Sequence, residues 1–227
     1  MKKLTFSIIE RDGRRTPITV PIQEILLAGY TGRDRAKVLE HIRELAALGV
    51  APPEQVPMVY TVPAELATMK PSIAVGGAET SGEAEVYLVP TADGLLVGIG
   101  SDHTDRRQEA VDIASSKSLC PKVLSREVWR YDSVRGHWDQ LEIRSWVTDQ
   151  NGRRLYQQGR LDSFLAVEDI LAEVARLGHQ LEGRIVFGGT LPTIGGLTYG
   201  RRFAAELRDP VLRRSLRCAY NVAAGDT

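Results

Sequence analysis

The sequence has little of what marks secreted, membrane-bound or nucleic-acid-binding proteins. Its two cysteines, Cys120 and Cys218, lie far apart with no CxxC or zinc-type histidine spacing, so they indicate buried free thiols and not a disulfide framework or a thiolate metal site. Lysine plus arginine and aspartate plus glutamate both number 29, so no overall field attracts nucleic acid or an anionic membrane surface. No apolar run approaches the ~20 residues of a membrane-spanning helix, and the N-terminal segment returns to charge too soon for a secretory signal. We therefore predict a cytoplasmic protein that binds neither nucleic acid nor membranes.

The length and composition favour one folded unit. Hydrophobic residues make up 43% of the 227 residues, which is enough for one substantial core. No internal repeat and no break in composition divides the chain. We predict a single domain over 1–227, with an N-terminal hairpin, helix and proline-rich loop at 1–72, a central core at 73–196 and a C-terminal segment at 197–227.

Alternation of apolar and polar residues predicts strands over much of the chain. The runs 3–9 and 16–22 alternate around the turn dipeptide Asp12-Gly13 and indicate a β-hairpin. Further strands are predicted at runs separated by turn signals, near 83–89, 94–101, 140–147 and 153–160.

Two segments have helical spacing. The first runs from Thr31 to Leu48, with Thr31 and Asp34 resembling a capping box and Gly49 ending it. The second runs from 167 to 177 and ends at Gly178, and we expect it to pack on the sheet. The proline-punctuated stretch between 52 and 71 predicts an ordered, extended loop. The fold class is therefore α+β, mostly β.

A pair of carboxylates marks the first central strand. Glu83 and Glu85 are two residues apart, so in a strand both project from the face opposite Ala84 and Val86. Such neighbours repel and raise a carboxylate pKa unless a cation lies between them, and hard divalent cations prefer oxygen ligands. The alternative is a solvated polar edge, because exposed glutamates are common.

A third carboxylate ends the next strand. In extended geometry Gly98, Gly100 and Asp102 share one face, and we expect the glycines to clear space there. Asp102 could then complete a metal site of three carboxylates, with water or substrate oxygens in the remaining positions. The alternative is that Asp102 caps a turn or a helix.

The order and spacing of five motifs resemble the fumarylacetoacetate hydrolase superfamily, over roughly 73–196. Members typically show an E-x-E strand, an N-D-x-S-A-R-D segment, a K-S-x-D-x-x-x-P segment, an N-G-x-x-x-Q turn and a closing glycine-threonine-proline loop. The counterparts here are Glu83-Ala84-Glu85, Ser101 to Arg106, Ser116 to Pro121, Asn151-Gly152 with Gln157, and Gly183 to Pro192. The sequence looks closest to a small bacterial branch that carries GSDHTDR and HWD.

The resemblance implies a folded mixed sheet with a few helices, a homodimer and a bound Mg²⁺ or Mn²⁺. It makes three carboxylates the metal ligands: Glu83, Glu85 and Asp102. It also makes Lys117 a cation near the substrate oxyanion, and it places Thr190, with Gly189 beside it, at the substrate. For Lys117 the alternative is an ordinary surface lysine.

The sequence departs from the family at the group that activates water. Family hydrolases often carry N-Y-x-x-H-x-x-E near the N-terminus, whereas the nearest equivalent here is GYTGRD, which contains Tyr30 and Arg33. His103 is the best substitute base by its proximity to Asp102. Tyr30 is a candidate substrate contact, and Arg33 and Arg106 could pair with a substrate carboxylate, although a surface ion pair is the alternative for either arginine.

The function that the resemblance implies is hydrolytic carbon–carbon cleavage of a small acylpyruvate or 1,3-dicarbonyl acid. An alternative is a lyase or isomerase, such as a 2-oxo acid decarboxylase or hydratase, that acts through a metal enolate, and a second alternative is a binding protein without turnover. The cluster His137-Trp138-Asp139 is a candidate for the pocket wall or a turn before the next strand. The segment after 197 departs from the usual family ending.

Overall fold

The structure, a computed structural model, describes residues 1–47 and 52–224, and strands dominate it. The first strands are β1 (Lys2–Ile9), β2 (Arg15–Ile22), β3 (Glu24–Gly29), β4 (Met58–Pro63), β5 (Ala67–Thr68), β6 (Ser72–Val75), β7 (Thr80–Ser81), β8 (Ala84–Thr91) and β9 (Gly94–Asp102). The others are β10 (Thr104–Asp105), β11 (Lys122–Leu124), β12 (Glu127–Arg130), β13 (Glu142–Asp149), β14 (Gly152–Arg160), β15 (Arg184–Thr190), β16 (Arg202–Asp209) and β17 (Arg214–Ala224). The α-helices are α1 (Arg35–Ala47), α2 (Arg106–Glu109), α3 (Ile113–Ser118) and α4 (Val167–Arg176), and 3-10 helices lie at Ala64–Leu66, Tyr131–Ser133, Arg135–Gln140 and Leu161–Ser163. The predicted α+β class, mostly β, is confirmed.

A large mixed sheet forms the centre of the fold. Its strand order is β2-β1-β12-β9-β8-β15-β3-β4, with β11 joined to β9 and β5. A five-stranded sheet has the order β14-β13-β16-β17-β6. Most neighbours are antiparallel, but β1–β12, β5–β11, β3–β15 and β6–β17 are parallel. The predicted mixed sheet with few helices is therefore confirmed.

The central sheet carries a buried cluster on each face. In β8, Val86 and Leu88 join the cluster that also contains α4 and the five-stranded sheet, whereas Tyr87 and Val89 join the other. Strands from 1–72, 73–196 and 197–227 all enter these sheets, since β3 pairs with β15 and β17 pairs with β6. Both cysteines are free and buried. Among the described residues, none of the helices combines the length and hydropathy needed to span a bilayer.

The local turn signals correspond to hairpins. β1 and β2 pair along their whole length, with Gly13 at φ 82° in the turn. β8 pairs with β9 and β13 pairs with β14, and Gly94 and Gly152 have φ values of 111° and 103° at these turns. Glycine adopts such left-handed conformations without a steric penalty. The N-terminal hairpin and the four predicted central strands are thus found at the predicted places.

The first helix begins later than predicted. α1 starts at Arg35, and the Asp34 carboxylate accepts hydrogen bonds from the backbone N–H groups of Ala36 and Lys37. The assignment of Thr31 to a capping box is wrong, because its hydroxyl donates to the carbonyl of Gly188 at 2.7 Å. The predicted end at Gly49 lies outside the described residues.

The second helix agrees with its prediction. α4 spans Val167–Arg176, and its buried residues Val167, Ile170 and Val174 join the cluster that contains Val86 of the sheet. Gly178 follows it at φ 87° and donates to the carbonyl of Ala175 at 2.9 Å.

The proline-rich stretch contains a strand that the sequence did not reveal. It is ordered and extended, as predicted, but β4 within it pairs with β3 at the edge of the large sheet. The strand β3 was also missed. Its residues Ile25 to Ala28 are all buried, so its sequence shows a continuous apolar run and no alternation, as is usual for strands covered on both faces.

The glycines of β9 do not clear space for a ligand, so that prediction is wrong. A Cβ atom on Gly98 would overlap the ring of Tyr87, and one on Gly100 would lie 2.7 Å from the carbonyl oxygen of Val123 and 3.0 Å from the ring of Phe187. The rings of Tyr87 and Phe187 pack together with their centroids 5.9 Å apart. The glycines therefore make room for an aromatic core beneath the carboxylates.

Candidate metal centre

The three predicted carboxylates converge at one end of the β8–β9 pair. One side-chain oxygen from each of Glu83, Glu85 and Asp102 lies within 4.8 Å of the other two. Antiparallel register places Glu85 opposite Gly100, and the backbone N–H of Asp102 donates to the carbonyl of Glu83 at 3.0 Å. The hairpin thus brings Asp102, at the end of β9, next to Glu83 and Glu85 at the start of β8.

Basic side chains surround this cluster. The Lys117 ammonium lies 2.5 Å from Glu83 Oε2 and 2.9 Å from Asp102 Oδ2, and Lys117 is 7% exposed. Arg106 donates to Glu83 Oε1 at 3.0 Å. The structure therefore places Lys117 at the carboxylates and not at the surface.

The two glutamates have opposite electrostatic environments. Burial opposes ionisation of Glu83, but the charges of Lys117 and Arg106 outweigh it and lower its pKa to about 2. For Glu85, burial and the charges of Asp102 and Glu83 together raise the pKa well above its ordinary value. The charge of Lys117 and the hydrogen bond from Gly189 lower the pKa of Glu85 by less, so its ionised form is only partly compensated.

The donor set fits a hard divalent cation. All three groups offer carboxylate oxygens, which Mg²⁺ and Mn²⁺ prefer, and a cation would offset the repulsion felt by Glu85. Asp102 Oδ1 is buried and lies 2.7 Å from the Lys122 ammonium without a regular hydrogen-bond angle. Glu83, Glu85 and Asp102 are thus the described residues that could hold the ion.

The glycine loop after β15 touches the same carboxylates. The backbone N–H of Gly189 donates to Glu85 Oε2 at 2.9 Å, with Gly189 at φ 98°. A Cβ atom there would overlap the Thr31 hydroxyl, so both the conformation and the space require glycine. The Thr190 hydroxyl donates to the carbonyl of Ala84 at 3.1 Å. Gly189 and Thr190 therefore lie beside the cluster, where they hold β8 in place.

Gln157 connects these parts, although its position in a motif predicted no role for its side chain. Its Oε1 accepts from the backbone N–H of Ala84 at 3.0 Å and from the Ser145 hydroxyl at 2.8 Å. Its Nε2 donates to Thr190 Oγ1 at 2.7 Å and to the carbonyl of Leu191 at 2.6 Å. The side chain is fully buried, so all its polar capacity is used to orient the strand that carries the ligands.

We predict that Gln157→Leu weakens Mn²⁺ binding by about 10- to 100-fold, the usual range for residues that orient metal ligands. Titration calorimetry with Mn²⁺ measures the change. The matched control is Gln158→Leu, because Gln158 is exposed on the same strand. Equal affinities in the two variants would contradict the role assigned to Gln157.

The ring of His103 is held by Tyr220 and Thr80 and not by the carboxylates, which argues against its assignment as the base. Its Nδ1 lies 2.8 Å from the Tyr220 hydroxyl and its Nε2 lies 2.9 Å from Thr80 Oγ1, so both ring nitrogens are engaged. Burial, together with the charges of Lys122 and Arg106, lowers its pKa to about 3. Tyr220 belongs to β17, so the segment after 197 packs beneath the site.

Tyr30 lies close to the cluster, whereas Arg106 is held by the protein itself. The half-buried Tyr30 has its pKa raised by burial and by the charge of Glu109, while the nearby Lys117 lowers it. The three nitrogens of Arg106 donate to Ser81, Glu109 and Glu83. The structure thus gives Arg106 a role in holding Glu83.

Arg33 lies in a different place. It makes a bidentate pair with Asp139, with both N–O distances 2.8 Å, and its Nε donates to the carbonyl of Phe164. Arg33 lines an open groove of about 610 Å³ together with His137, Trp138 and Asp139. Of the described residues that line this groove, none is a member of the carboxylate cluster.

Solved structures with the same fold include enzymes in complex with metal ions. The chain matches a candidate fumarylacetoacetate isomerase/hydrolase from Oleispira antarctica with a TM-score of 0.66 and 19% identity, covering 98% of this chain and 100% of that one. It matches 2-keto-3-deoxy-D-arabinonate dehydratase complexed with magnesium and 2,5-dioxopentanoate with a TM-score of 0.63 and 16% identity, covering 91% of this chain and 74% of that one. It matches maleylpyruvate hydrolase from Sphingobium sp. SYK-6 in complex with manganese(II) and pyruvate with a TM-score of 0.63 and 15% identity, covering 93% of this chain and 78% of that one.

These similarities confirm the fumarylacetoacetate hydrolase fold that the motifs implied. A comparison with curated proteins found no match. The model of the family described as "Protein of unknown function (DUF2848)" matches residues 28–220. The chain therefore belongs to the DUF2848 family and has the fumarylacetoacetate hydrolase fold.

Proposed function

We propose that the protein is an enzyme that uses Mg²⁺ or Mn²⁺ at Glu83, Glu85 and Asp102 to act on a small 2-oxo acid or 1,3-dicarbonyl acid. The observation that carries this proposal is the convergence of three carboxylates with a buried ammonium, Lys117, among them. The magnesium and manganese complexes of the two structural neighbours support the choice of metal and of substrate class.

Each part of the site has a distinct task in this reaction. A divalent ion held there supplies a Lewis acid that chelates adjacent substrate oxygens and polarises the carbonyl group. The Lys117 ammonium can stabilise the oxyanion as an enolate develops, because the neighbouring carboxylates Asp102 and Glu83 outweigh burial and raise its pKa, which keeps it protonated. Thr104 Oγ1 lies 2.9 Å from this ammonium and helps to orient it.

The geometry supports a lyase better than the hydrolase that the resemblance first implied. Hydrolysis needs a base that activates water, but both ring nitrogens of His103, the predicted base, are occupied by Tyr220 and Thr80. A decarboxylation through an enolate needs the metal and Lys117 but no activated water, because the electrons of the broken carbon–carbon bond pass to the enolate as CO2 leaves. A dehydration needs in addition a base that accepts the proton next to the carbonyl group. The homodimer implied by the resemblance stays a prediction.

A thermal-shift series with Mn²⁺, oxalate and acetate tests the proposal. Oxalate, a planar dianion that resembles an enolpyruvate, should stabilise the protein only when Mn²⁺ is present, and acetate should stabilise it much less. A ligand that binds only the native state adds about 2.7 kcal/mol at a hundredfold excess over Kd. If oxalate stabilises equally with and without Mn²⁺, the proposed site is wrong. An activity assay with a panel of 2-oxo acids then distinguishes an enzyme, which converts at least one of them, from a binding protein, which converts none.

A further inference from the structure

Four buried polar side chains beneath the metal-ligand cluster form one chain of hydrogen bonds. The Ser101 hydroxyl accepts from the backbone N–H of Glu83 at 3.2 Å and lies 2.8 Å from the Tyr220 hydroxyl. Tyr220 in turn lies 2.8 Å from His103 Nδ1, and His103 Nε2 lies 2.9 Å from Thr80 Oγ1. All four side chains are buried. The chain therefore begins and ends on the short segment that leads into β8.

The protons of this chain fit one direction. Of the described residues, Glu83 and Tyr220 are the two that share a hydrogen bond with the Ser101 hydroxyl, and Glu83 is the donor, so the hydroxyl proton goes to Tyr220. Tyr220 then donates to Nδ1 of a neutral His103, whose Nε2–H donates to Thr80. Hydrogen bonds aligned in this way polarise one another, so Ser101 becomes a better acceptor for Glu83.

Glu83 is the metal ligand with the least support from strand pairing. The strand β8 begins after it, at Ala84, whereas Glu85 lies inside β8 and Asp102 ends β9. Its backbone N–H is bound by the side chain of Ser101 and not by a neighbouring strand. The position of Glu83 therefore depends on what holds the Ser101 hydroxyl.

The C-terminal strands form a rigid wall under this segment. A Cβ atom on Gly82, directly before Glu83, would lie 2.6 Å from the ring of Phe203 in β16. The rings of Phe203 and Tyr220 pack with their centroids 5.6 Å apart. Packing thus fixes the ring of Tyr220, so that its hydroxyl can hold Ser101 in one orientation.

Resting on the function proposed above, we propose that Tyr220 and His103 are positioning residues of the metal centre, which hold Glu83 in place through the Ser101 hydroxyl. Residues that orient metal ligands in this way tune metal affinity without touching the ion. His103 and the segment after 197, which have no other role in the proposed reaction, thereby share one task.

Titration calorimetry with Mn²⁺ tests this role in the wild-type protein, in Tyr220→Phe and in the matched control Tyr156→Phe. Tyr156 is also fully buried and also packs against the Phe203 ring, but its hydroxyl accepts from the backbone N–H of Thr198. We expect Tyr220→Phe to bind Mn²⁺ about tenfold more weakly, because the freed Ser101 hydroxyl can turn away from Glu83, and the control to bind as the wild type does. The electron paramagnetic resonance spectrum of the bound Mn²⁺ should change in Tyr220→Phe alone, which a mere loss of stability would not cause.

A double-mutant cycle shows whether Tyr220 acts through Ser101. The variant that combines Ser101→Ala with Tyr220→Phe should bind Mn²⁺ no more weakly than Ser101→Ala, because the chain is already broken. Additive losses overturn the inference, and so does wild-type Mn²⁺ affinity in Tyr220→Phe, while the proposed metal site stands. Wild-type affinity in Ser101→Ala overturns it even if Tyr220→Phe does not fold. If the wild type binds no Mn²⁺, the proposed function itself fails, and the inference fails with it.

Discussion

Replacing Glu85 with glutamine is expected to weaken Mn²⁺ binding by more than about 100-fold, because the loss of a direct ligand should exceed the loss of a residue that only orients one. The same change should raise the melting temperature of the metal-free protein. Burial and the charges of Asp102 and Glu83 raise the pKa of Glu85, so the ionised carboxylate is destabilising there. Glutamine has the same shape without the charge.

The pH dependence follows from the direction of this shift. A carboxyl group with a raised pKa contributes stability that is complete below its unfolded-state pKa and is lost as pH rises through the folded-state pKa. The metal-free wild type should therefore lose stability as pH rises from 4.5, and Glu85→Gln should lose less.

Calorimetry and thermal melting, with Glu54→Gln as the exposed control, measure both effects. Unchanged Mn²⁺ affinity in Glu85→Gln would remove Glu85 from the ligand set.

Replacing Lys117 with methionine is expected to lower turnover by about 10²–10³-fold, the usual effect of removing one preorganised oxyanion donor. Mn²⁺ binding should not weaken, because Lys117 is a cation that lies 2.5 Å from Glu83 and 2.9 Å from Asp102. The loss should therefore appear in kcat and not in metal affinity. Steady-state kinetics with the best 2-oxo acid of the panel, at saturating Mn²⁺, measures it.

Lys70→Met serves as the control, since Lys70 is exposed. A Lys117→Met enzyme with the wild-type rate would show that the ammonium has no part in the reaction. A parallel loss of Mn²⁺ affinity would instead show that Lys117 organises the ligands.

Signals that act between near neighbours in the sequence predicted structure well. The turn at Gly94, the alternation after Glu83 and the apolar stripe of α4 depend on nearby residues, and the structure contains each of them. The strand β3 gave no such signal, because it is covered on both faces and pairs in parallel with a strand far along the chain. The convergence of the three carboxylates followed from the hairpin and from the motif order.

The remaining errors concern burial and the partners of individual side chains. The role of Gly98 could not be predicted, because it depends on the ring of Tyr87 from the facing strand. His103 was chosen for its sequence proximity to Asp102, but its ring points to Tyr220, which lies 117 residues away. Lys122 was overlooked because a single lysine is normally solvated. Its burial follows from the register of β11 with β9, which no local pattern shows.

The position of β8 between β9 and β15 also bears on how the protein folds. β9 follows directly in the chain, but Gly189, which holds Glu85, lies 104 residues away. Such distant pairing incurs its loop-closure entropy before it gains any contact, and chains dominated by it fold in milliseconds to seconds. Until β15 docks, one edge of the ligand-bearing strand has unpaired backbone groups and is open to pairing with other chains. A chain in which β15 has not yet docked is therefore more open to aggregation along this strand than the folded protein.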